Sequence, residues 1–488
     1  GRDLRLEAFT VVLNQTSSAD EPYLPTKRLQ LVALQLCISC RAQRTLRVKV
    51  ERSTPRRLWT DTAEESPTPI PGSTGRPDGS RVPLLRARSV LWMSSADPPF
   101  MSCATNLLVN LRSVYFDYIF NRSLDHVVWP PQLREIVFWN YLVTIGQDFE
   151  KPMQVNSNPS LLKRMVYDFN QSIDNVSWPA SLQQLTFGFS FNQSTQNVTW
   201  PVSLQQLTFG EDFDQPIEGV SWPASLLQLT FGFSFDQPID GVSWPASLQR
   251  VTFGWSFCQF IHGVSWPPSL QQLTFGTYFI APIDGVVWPA SLQQLTFGDG
   301  FNQPLEGVSW PESLRQLTFG SLFLQPIKGV PWPASLQQLT LGDNFDQPIE
   351  DVSWPASLQQ LEFGDAFNHP IGSVSWPESL QQLEFGDAFN QPVEDVSWPS
   401  ALQQLTFGKR FDQPVEYVSW PSALQQLEFG KTFNQPIEGV SWPASLQQLP
   451  FGFSFNQPIE GVSWPPSLQQ LEFGNSFHQP IEGVSWPA

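Results

Sequence analysis

The sequence predicts a repeat solenoid: a β-solenoid with one short parallel strand per 22-residue coil and little helix. Three observations predict it. The dipeptide Trp-Pro begins at Trp178, Trp200, Trp222 and Trp244 and recurs every 22 residues to Trp486, giving fourteen full units without one insertion or deletion. Inside each unit the apolar residues keep fixed offsets. Finally, the 488 residues hold 20 Trp and 38 Phe alongside 45 Pro. Proline-rich disordered chains are poor in aromatics, so one periodic structure must be using both.

Each element of the unit W-P-A-S-L-Q-Q-L-T-F-G-x-x-F-N-Q-P-I-E-G-V-S has a physical role. Pro223, after Trp222, suits the first position of a single helical turn. No stretch free of Pro and Gly is long enough for a full helix. The L-x-x-L-x-F segment then has the shape of a leucine-rich-repeat strand, with Leu185 and Phe187 inward and Gln184 and Thr186 outward. Gly188 ends the strand and lets neighbouring coils approach closely. Phe191 and its equivalents through Phe477 are expected to stack as an aromatic spine. Pro216 cannot donate to a ladder, so the segment around it is extended, non-ladder backbone on the opposite side. Ile217, Val220 and Trp222 complete the apolar set. A single coil cannot cover its own two faces, and stacking supplies that cover.

Upstream the pattern decays. Residues 107–128 fit the frame with Leu111, Val114, Phe116, Phe120 and Asn121; residues 129–157 start at Trp129-Pro130 and carry about seven extra residues; residues 158–177 are two short, with Leu162, Met165, Tyr167 and Phe169 in apolar slots. The expected solenoid is therefore 107–488, about seventeen repeats, with 107–177 degenerate and 178–488 regular. Residues 1–106 do not share the repeat and form a basic N-terminal region, or alternatively a poorly stacked N-terminal cap for the solenoid. Within it Thr45 to Val50 alternates as a strand does, and 53–82 reads as a flexible Pro/Gly linker. The chain opens at Gly1 rather than Met, as a fragment or processed form would, so the lack of a leader carries no weight.

The recurring S-L-Q-Q-L-T-F-G-x-x-F-N-Q-P-I, as in Ser291 to Leu305 and Ser445 to Ile459, resembles the FNIP repeat family, a leucine-rich-repeat-like group. The resemblance implies a repeat array, in some members joined to an F-box. Leu24-Pro25 and the apolar run after it are only faintly similar to such a box. The chain departs from the family pattern where Cys258, Ile280, Leu324 and His478 occupy the Asn slot, and in having Trp before Pro where an aliphatic residue is usual.

Charge excludes one partner class. The net charge is −18, divided unevenly: residues 1–106 carry 15 Lys/Arg against 10 Asp/Glu, and the remainder 12 against 35. So acidic a surface repels phosphate backbones, and no nucleic-acid partner is expected. No apolar run is long enough to span a membrane as a helix. Cys37 and Cys40 form a C-x-x-C without a second pair, which reads as buried thiols in a strand rather than a zinc site. The four histidines lie in separate units at different offsets, and no catalytic motif is present. No catalytic residue, metal or cofactor is therefore expected.

The function expected is a non-enzymatic protein–protein interaction scaffold that uses the strand face, with a substrate-recognition arm as a special case. The alternative is an extracellular or surface glycan- or ligand-binding repeat protein, for which rows of Gln and Thr could match a repetitive polymer. Six N-x-S/T sequons, at Asn14, Asn121, Asn170, Asn175, Asn192 and Asn197, fit that alternative. The compartment is unknown, with a cytoplasmic location slightly favoured. Positions the fold leaves free carry the candidate binding residues. These are Arg250 in the otherwise constant Gln column, Glu362, Glu384 and Glu428 in the Thr column, and Trp255, Tyr278, Lys409, Arg410 and Lys431 after the glycine. The end at Pro487-Ala488 leaves a coil without its strand, an uncapped apolar face expected to invite self-association or to imply missing sequence.

Overall fold

The computed structural model describes residues 9–15, 46–52, 89–93, 111–116, 120–125, 127–138 and 169–486. The chain divides into two compact units, Gly1–Gly210 and Glu211–Ala488, and no helix occurs among the described residues.

In the first unit, β1 (Phe9–Gln15) pairs antiparallel with β2 (Leu46–Arg52) and parallel with β3 (Ser89–Met93). The alternating segment expected at 45–50 falls in β2. The parallel order continues through β4 (Ser113–Phe116), β5 (Glu135–Phe138), β6 (Gln184–Thr186) and β7 (Gln206–Thr208). Cys37, Cys40, Leu24-Pro25 and the expected linker at 53–82 lie outside the described residues.

One expectation is corrected. Residues 129–157 and 158–177 read from sequence as two coils, but β5 pairs directly with β6, Glu135 opposite Gln184. Phe138 and Phe169 stack at 4.2 Å, close to the 3.9 Å between Phe187 and Phe191 within one regular coil. Asn121 Oδ1 accepts hydrogen bonds from the Asn170 backbone N–H at 3.1 Å and from Gln171 Nε2 at 2.8 Å. Residues 129–138 and 169–177 therefore make a single coil. The 30 residues 139–168 stand where a regular coil has the three residues Gly188–Ser190.

The second unit repeats one coil, and residues 354–375 illustrate it. The strand Gln360–Glu362 lies parallel and in register between Gln338–Thr340 and Gln382–Glu384, so that Leu361 faces Leu339 and Leu383. Three tight turns close the coil. Leu358 N–H donates to Pro355 C=O at 3.1 Å, Phe367 N–H to Gly364 C=O at 3.2 Å, and Val374 N–H to Ile371 C=O at 3.2 Å. Proline thus opens a turn, as expected, without nucleating a helix. Leu358, Leu361, Phe363, Phe367, Ile371 and Val374 are all buried.

The aromatic spine is double. Phe363 and Phe367 stack within the coil at 4.2 Å, and each stacks on its successor, Phe385 at 5.5 Å and Phe389 at 6.0 Å. The tryptophans form a third column: Trp354 lies over Trp376 at 6.2 Å, and Trp376 meets Phe363 near-perpendicularly at 6.4 Å. The buried indole Nε1 of Trp376 has no hydrogen-bond partner, so ring contacts and apolar burial hold this column.

Polar ladders tie coil to coil. Ser379 Oγ donates to Leu358 C=O at 2.6 Å. In the Asn slot, Asn434 Oδ1 accepts from the Asn456 backbone N–H at 2.8 Å and from Gln457 Nε2 at 3.2 Å. Where Ile280 fills that slot only a backbone acceptor remains, and Gln303 Nε2 donates to Ile280 C=O. Asn434→Ala should accordingly cost about 1–3 kcal/mol, the usual penalty for a stranded donor. Equilibrium denaturation of the variant against the unmodified chain checks this; an unchanged midpoint would show that the slot is filled for shape alone.

In the last coil the cover is incomplete. Leu471, Phe473 and Phe477 are half-buried, whereas Leu449, Phe451 and Phe455 of the coil before are buried.

Candidate functional site

Alternation along each strand turns the central Leu inward and leaves its neighbours on the outer strand face. That face in the second unit carries three columns, each advancing by one side chain per coil.

The first is the Gln column. Gln338 Nε2 donates to Gln360 Oε1 at 2.6 Å and Gln426 Nε2 to Gln448 Oε1 at 2.9 Å. Gln272 likewise donates to Gln294, and Gln316 to Gln338. The exposed Arg250 joins the row through its Nε and Gln272 Oε1. These amides engage one another along the stack, which leaves fewer donors and acceptors for a polymer laid across the row.

The second is the Thr column, which turns acidic towards the C-terminus. Glu362 and Glu384 are register partners on neighbouring strands, and Thr340 Oγ1 donates to Glu362 Oε2 at 3.2 Å. Partial burial in the groove pushes the Glu384 carboxyl above its ordinary pKa, and the charges of Glu362 and Glu428 push it the same way.

The third column is the residue after each coil-packing glycine. Here the backbone itself links the coils: Ala366 N–H donates to Asp343 C=O and Ala388 N–H to Asp365 C=O, both at 2.7 Å, and Arg410 N–H to Asp387 C=O at 3.0 Å. Ser321 Oγ lies 3.0 Å from Asp299 Oδ1 and 2.9 Å from Asp343 Oδ2. Its single proton serves one carboxylate at a time. Lys409 Nζ pairs with Asp387 Oδ2, which raises the pKa of the exposed amine.

The second and third columns enclose one groove of about 750 Å³ running from Thr296 to Glu472. Its walls hold eight carboxylates, Asp299, Asp343, Glu362, Asp365, Glu384, Asp387, Glu428 and Glu472, against two cations, Lys409 and Lys431. Of the residues singled out from sequence, Glu362, Glu384, Glu428, Lys409 and Lys431 come together here. Arg410 is exposed one position further on and does not line the groove. Arg250, Trp255 and Tyr278 lie N-terminal to it. The aspartate row was not singled out, although aligning the first residue after each glycine reveals it: Asp299, Asp343, Asp365 and Asp387, then Lys409 and Lys431.

Among the described residues no three His, Cys, Asp or Glu side chains are arranged to hold a metal ion, and no helix is long and apolar enough to cross a membrane. The sequons divide by role. Asn121 and Asn170 have their side chains in the coil-to-coil ladder, whereas Asn175 and Asn197 are exposed at turns.

Known proteins place this architecture. The chain is similar to CroV588, described as a novel circular leucine-rich-repeat protein. The two share 34% identity at a TM-score of 0.57, over 78% of this chain and 58% of that one. This chain thus spans less than two thirds of that protein's length. Weaker likenesses, which add nothing to the assignment, are to an internalin (inlF) of Listeria monocytogenes and to the Toll–Spatzle complex of Drosophila. The first has 12% identity and a TM-score of 0.34, over 64% of this chain and 82% of that one. The second has 9% identity and a TM-score of 0.43, over 79% and 67%. No curated protein matches the chain. The FNIP repeat model matches 191–234, 235–278, 279–322, 323–366, 367–410, 411–454 and 455–487, mostly two coils at a time. With parallel strands every 22 residues and that model matched over most of the array, the chain belongs to the FNIP repeat family.

Proposed function

We propose that the chain is a non-enzymatic scaffold that binds a basic surface of a partner protein on the strand face of residues 340–475. Leucine-rich-repeat-like solenoids are in general protein-interaction scaffolds, and a regular strand face leaves its outward positions free to vary. The observation that carries the reading is the groove, whose carboxylates outnumber its cations eight to two. Two carboxylates about 5 Å apart on neighbouring strands repel by about 0.8 kcal/mol in water, and by more where the walls shield them. Basic side chains of a partner turn that repulsion into attraction, and Lys409 and Lys431 fix the orientation. In this reading Glu428 acts with the groove carboxylates, Arg410 stands beside the groove, and Arg250, Trp255 and Tyr278, N-terminal to it, extend the contact surface.

The double variant Glu362→Thr, Glu384→Thr restores the repeat's own consensus and tests the reading. Partner capture by the full chain should weaken, and its loss at high salt should become shallower. If both are unchanged, the carboxylates are surface decoration and the proposal fails. Stability supplies a second readout. The folded-state pKa of Glu384 is raised. Its contribution to stability is therefore fully present below the ordinary Glu pKa and is lost as pH rises through the raised value. The double variant should melt slightly higher than the parent at neutral pH, and the difference should vanish as pH falls below the ordinary carboxylate range.

A further inference from the structure

The column after the glycines is ordered in blocks. Phe233 and Trp255 directly follow the glycine in two successive coils, Tyr278 stands one position further on after Thr277 in the third, and the three are 43%, 46% and 57% exposed. Their rings meet in sequence, Phe233 to Trp255 at 5.1 Å and Trp255 to Tyr278 at 6.3 Å. Single exposed apolar residues are ordinary on a surface; three in contact form a patch that mixes poorly with water. In the next coil the chemistry changes. Gly300 N–H donates to Thr277 C=O at 2.7 Å, which places Asp299 in the coil directly after Thr277 and Tyr278. The acidic block then runs to Asp387, with Ser321 as its one uncharged member, and Lys409 and Lys431 follow. Between Glu211 and Phe453, which flank the stretch, aromatic, acidic and basic side chains thus succeed one another from Phe233 to Lys431, with Tyr278 set one position off the column, and the groove covers the charged part.

We propose that this line reads an extended segment of a partner protein whose side chains come in the order apolar, basic, acidic. The proposal deepens the scaffold reading and rests on it, adding the partner's shape and register. Each strand of the row pairs on both sides with its neighbours, so a partner cannot join by strand addition and must cross the coils. Crossing sets the scale. Nine steps of about 4.8 Å separate Phe233 from Lys431, roughly 43 Å. An extended chain covers that distance in about thirteen residues. The aromatic patch buries an apolar anchor, the aspartates take Arg or Lys, and the lysines take carboxylates. Charge complementarity of this kind sets register and rejects the wrong order.

The test uses three labelled peptides of about thirteen residues and identical composition, titrated into the full chain by fluorescence anisotropy. One is ordered Trp/Leu, then Arg, then Glu; one has the same blocks in reversed chain direction; one is scrambled. One of the two ordered peptides should bind at least tenfold more tightly than the scrambled one. Trp255→Ser, and separately Asp343→Lys with Asp365→Lys, should each remove about that factor. All three positions are exposed, and an unchanged melting temperature confirms that the variants fold. Equal binding of ordered and scrambled peptides overturns the inference; if that binding still depends on Glu362 and Glu384, the acidic scaffold reading survives it. Absence of binding by every peptide also overturns it, and the capture experiment above then decides the broader reading by itself.

Discussion

Gly364→Ala is expected to be among the most damaging single methyl additions to the array. A Cβ at Gly364 would sit 2.0 Å from the carbonyl oxygen of Gly342 and 2.5 Å from Asp343 Cα. Both are backbone atoms of the neighbouring coil and cannot rotate away, unlike the end of a flexible side chain. The adjacent glycine is under the same constraint, since a Cβ at Gly386 would meet Gly364 O at 2.0 Å. Relief requires the coils to separate on this side, which breaks ladder hydrogen bonds and opens the Phe contacts beneath. Overpacking within a side-chain core typically costs about 1–3 kcal/mol; a clash of backbone on backbone should exceed that, at about 3–5 kcal/mol. Coils contact mainly their neighbours, so the damage should stay local. Hydrogen exchange should show lost protection around residues 340–390 and kept protection towards 230 and 450. A variant with the parent's melting curve and exchange pattern would mean that the close approach is not required.

Phe345→Ala should cost about 3–5 kcal/mol, the usual range for truncating a buried Phe. Its ring is fully buried and stacks on Phe323 at 6.1 Å and on Phe367 at 6.2 Å. Its own coil has Leu341 in the slot where others have Phe, so Phe345 lacks the intracoil ring that Phe367 has in Phe363 at 4.2 Å. Phe345 therefore carries the aromatic spine alone across this coil, and its removal leaves a gap between Phe323 and Phe367. Chemical denaturation measures the cost. The location is read by exchange, as for the glycine, and uniform loss of protection across 211–486 would contradict nearest-neighbour stacking.

The two sites differ in how plainly the sequence announces them. A glycine that returns every 22 residues after a strand Phe has one physical reason to persist, and close coil approach could be named from the pattern alone. The same holds for Leu361 and its equivalents, whose offset fixes both the strand and the side it faces. The coil split between 129–138 and 169–177 was hidden because Leu162, Met165 and Tyr167 imitate coil spacing in the sequence. Only the pairing of Glu135 with Gln184 separates imitation from membership. The groove was half legible. Glu362 and Glu384 stand out because they replace a constant Thr, whereas Asp343, Asp365 and Asp387 sit in a column that varies everywhere. Variation alone does not say that successive residues touch; the backbone bonds between those coils do. Arg410 shows the converse error, since adjacency to Lys409 in sequence does not put it in the groove. The unpartnered indole N–H of Trp376 had no signal, because buried Trp usually finds an acceptor.

The interrupted coil of the first unit has a consequence for how such arrays diversify. Phe138 and Phe169 keep their 4.2 Å contact although thirty residues separate them where three suffice elsewhere. The turn after the strand is thus a splice point, at which a coil accepts foreign length without losing its place in the stack. Duplication lengthens the array by whole units, and splicing at this turn adds content without changing the count. A recombinant epitope or reporter hairpin inserted between Asp365 and Ala366 exploits the same tolerance, and it would display its cargo at the rim of the acidic groove.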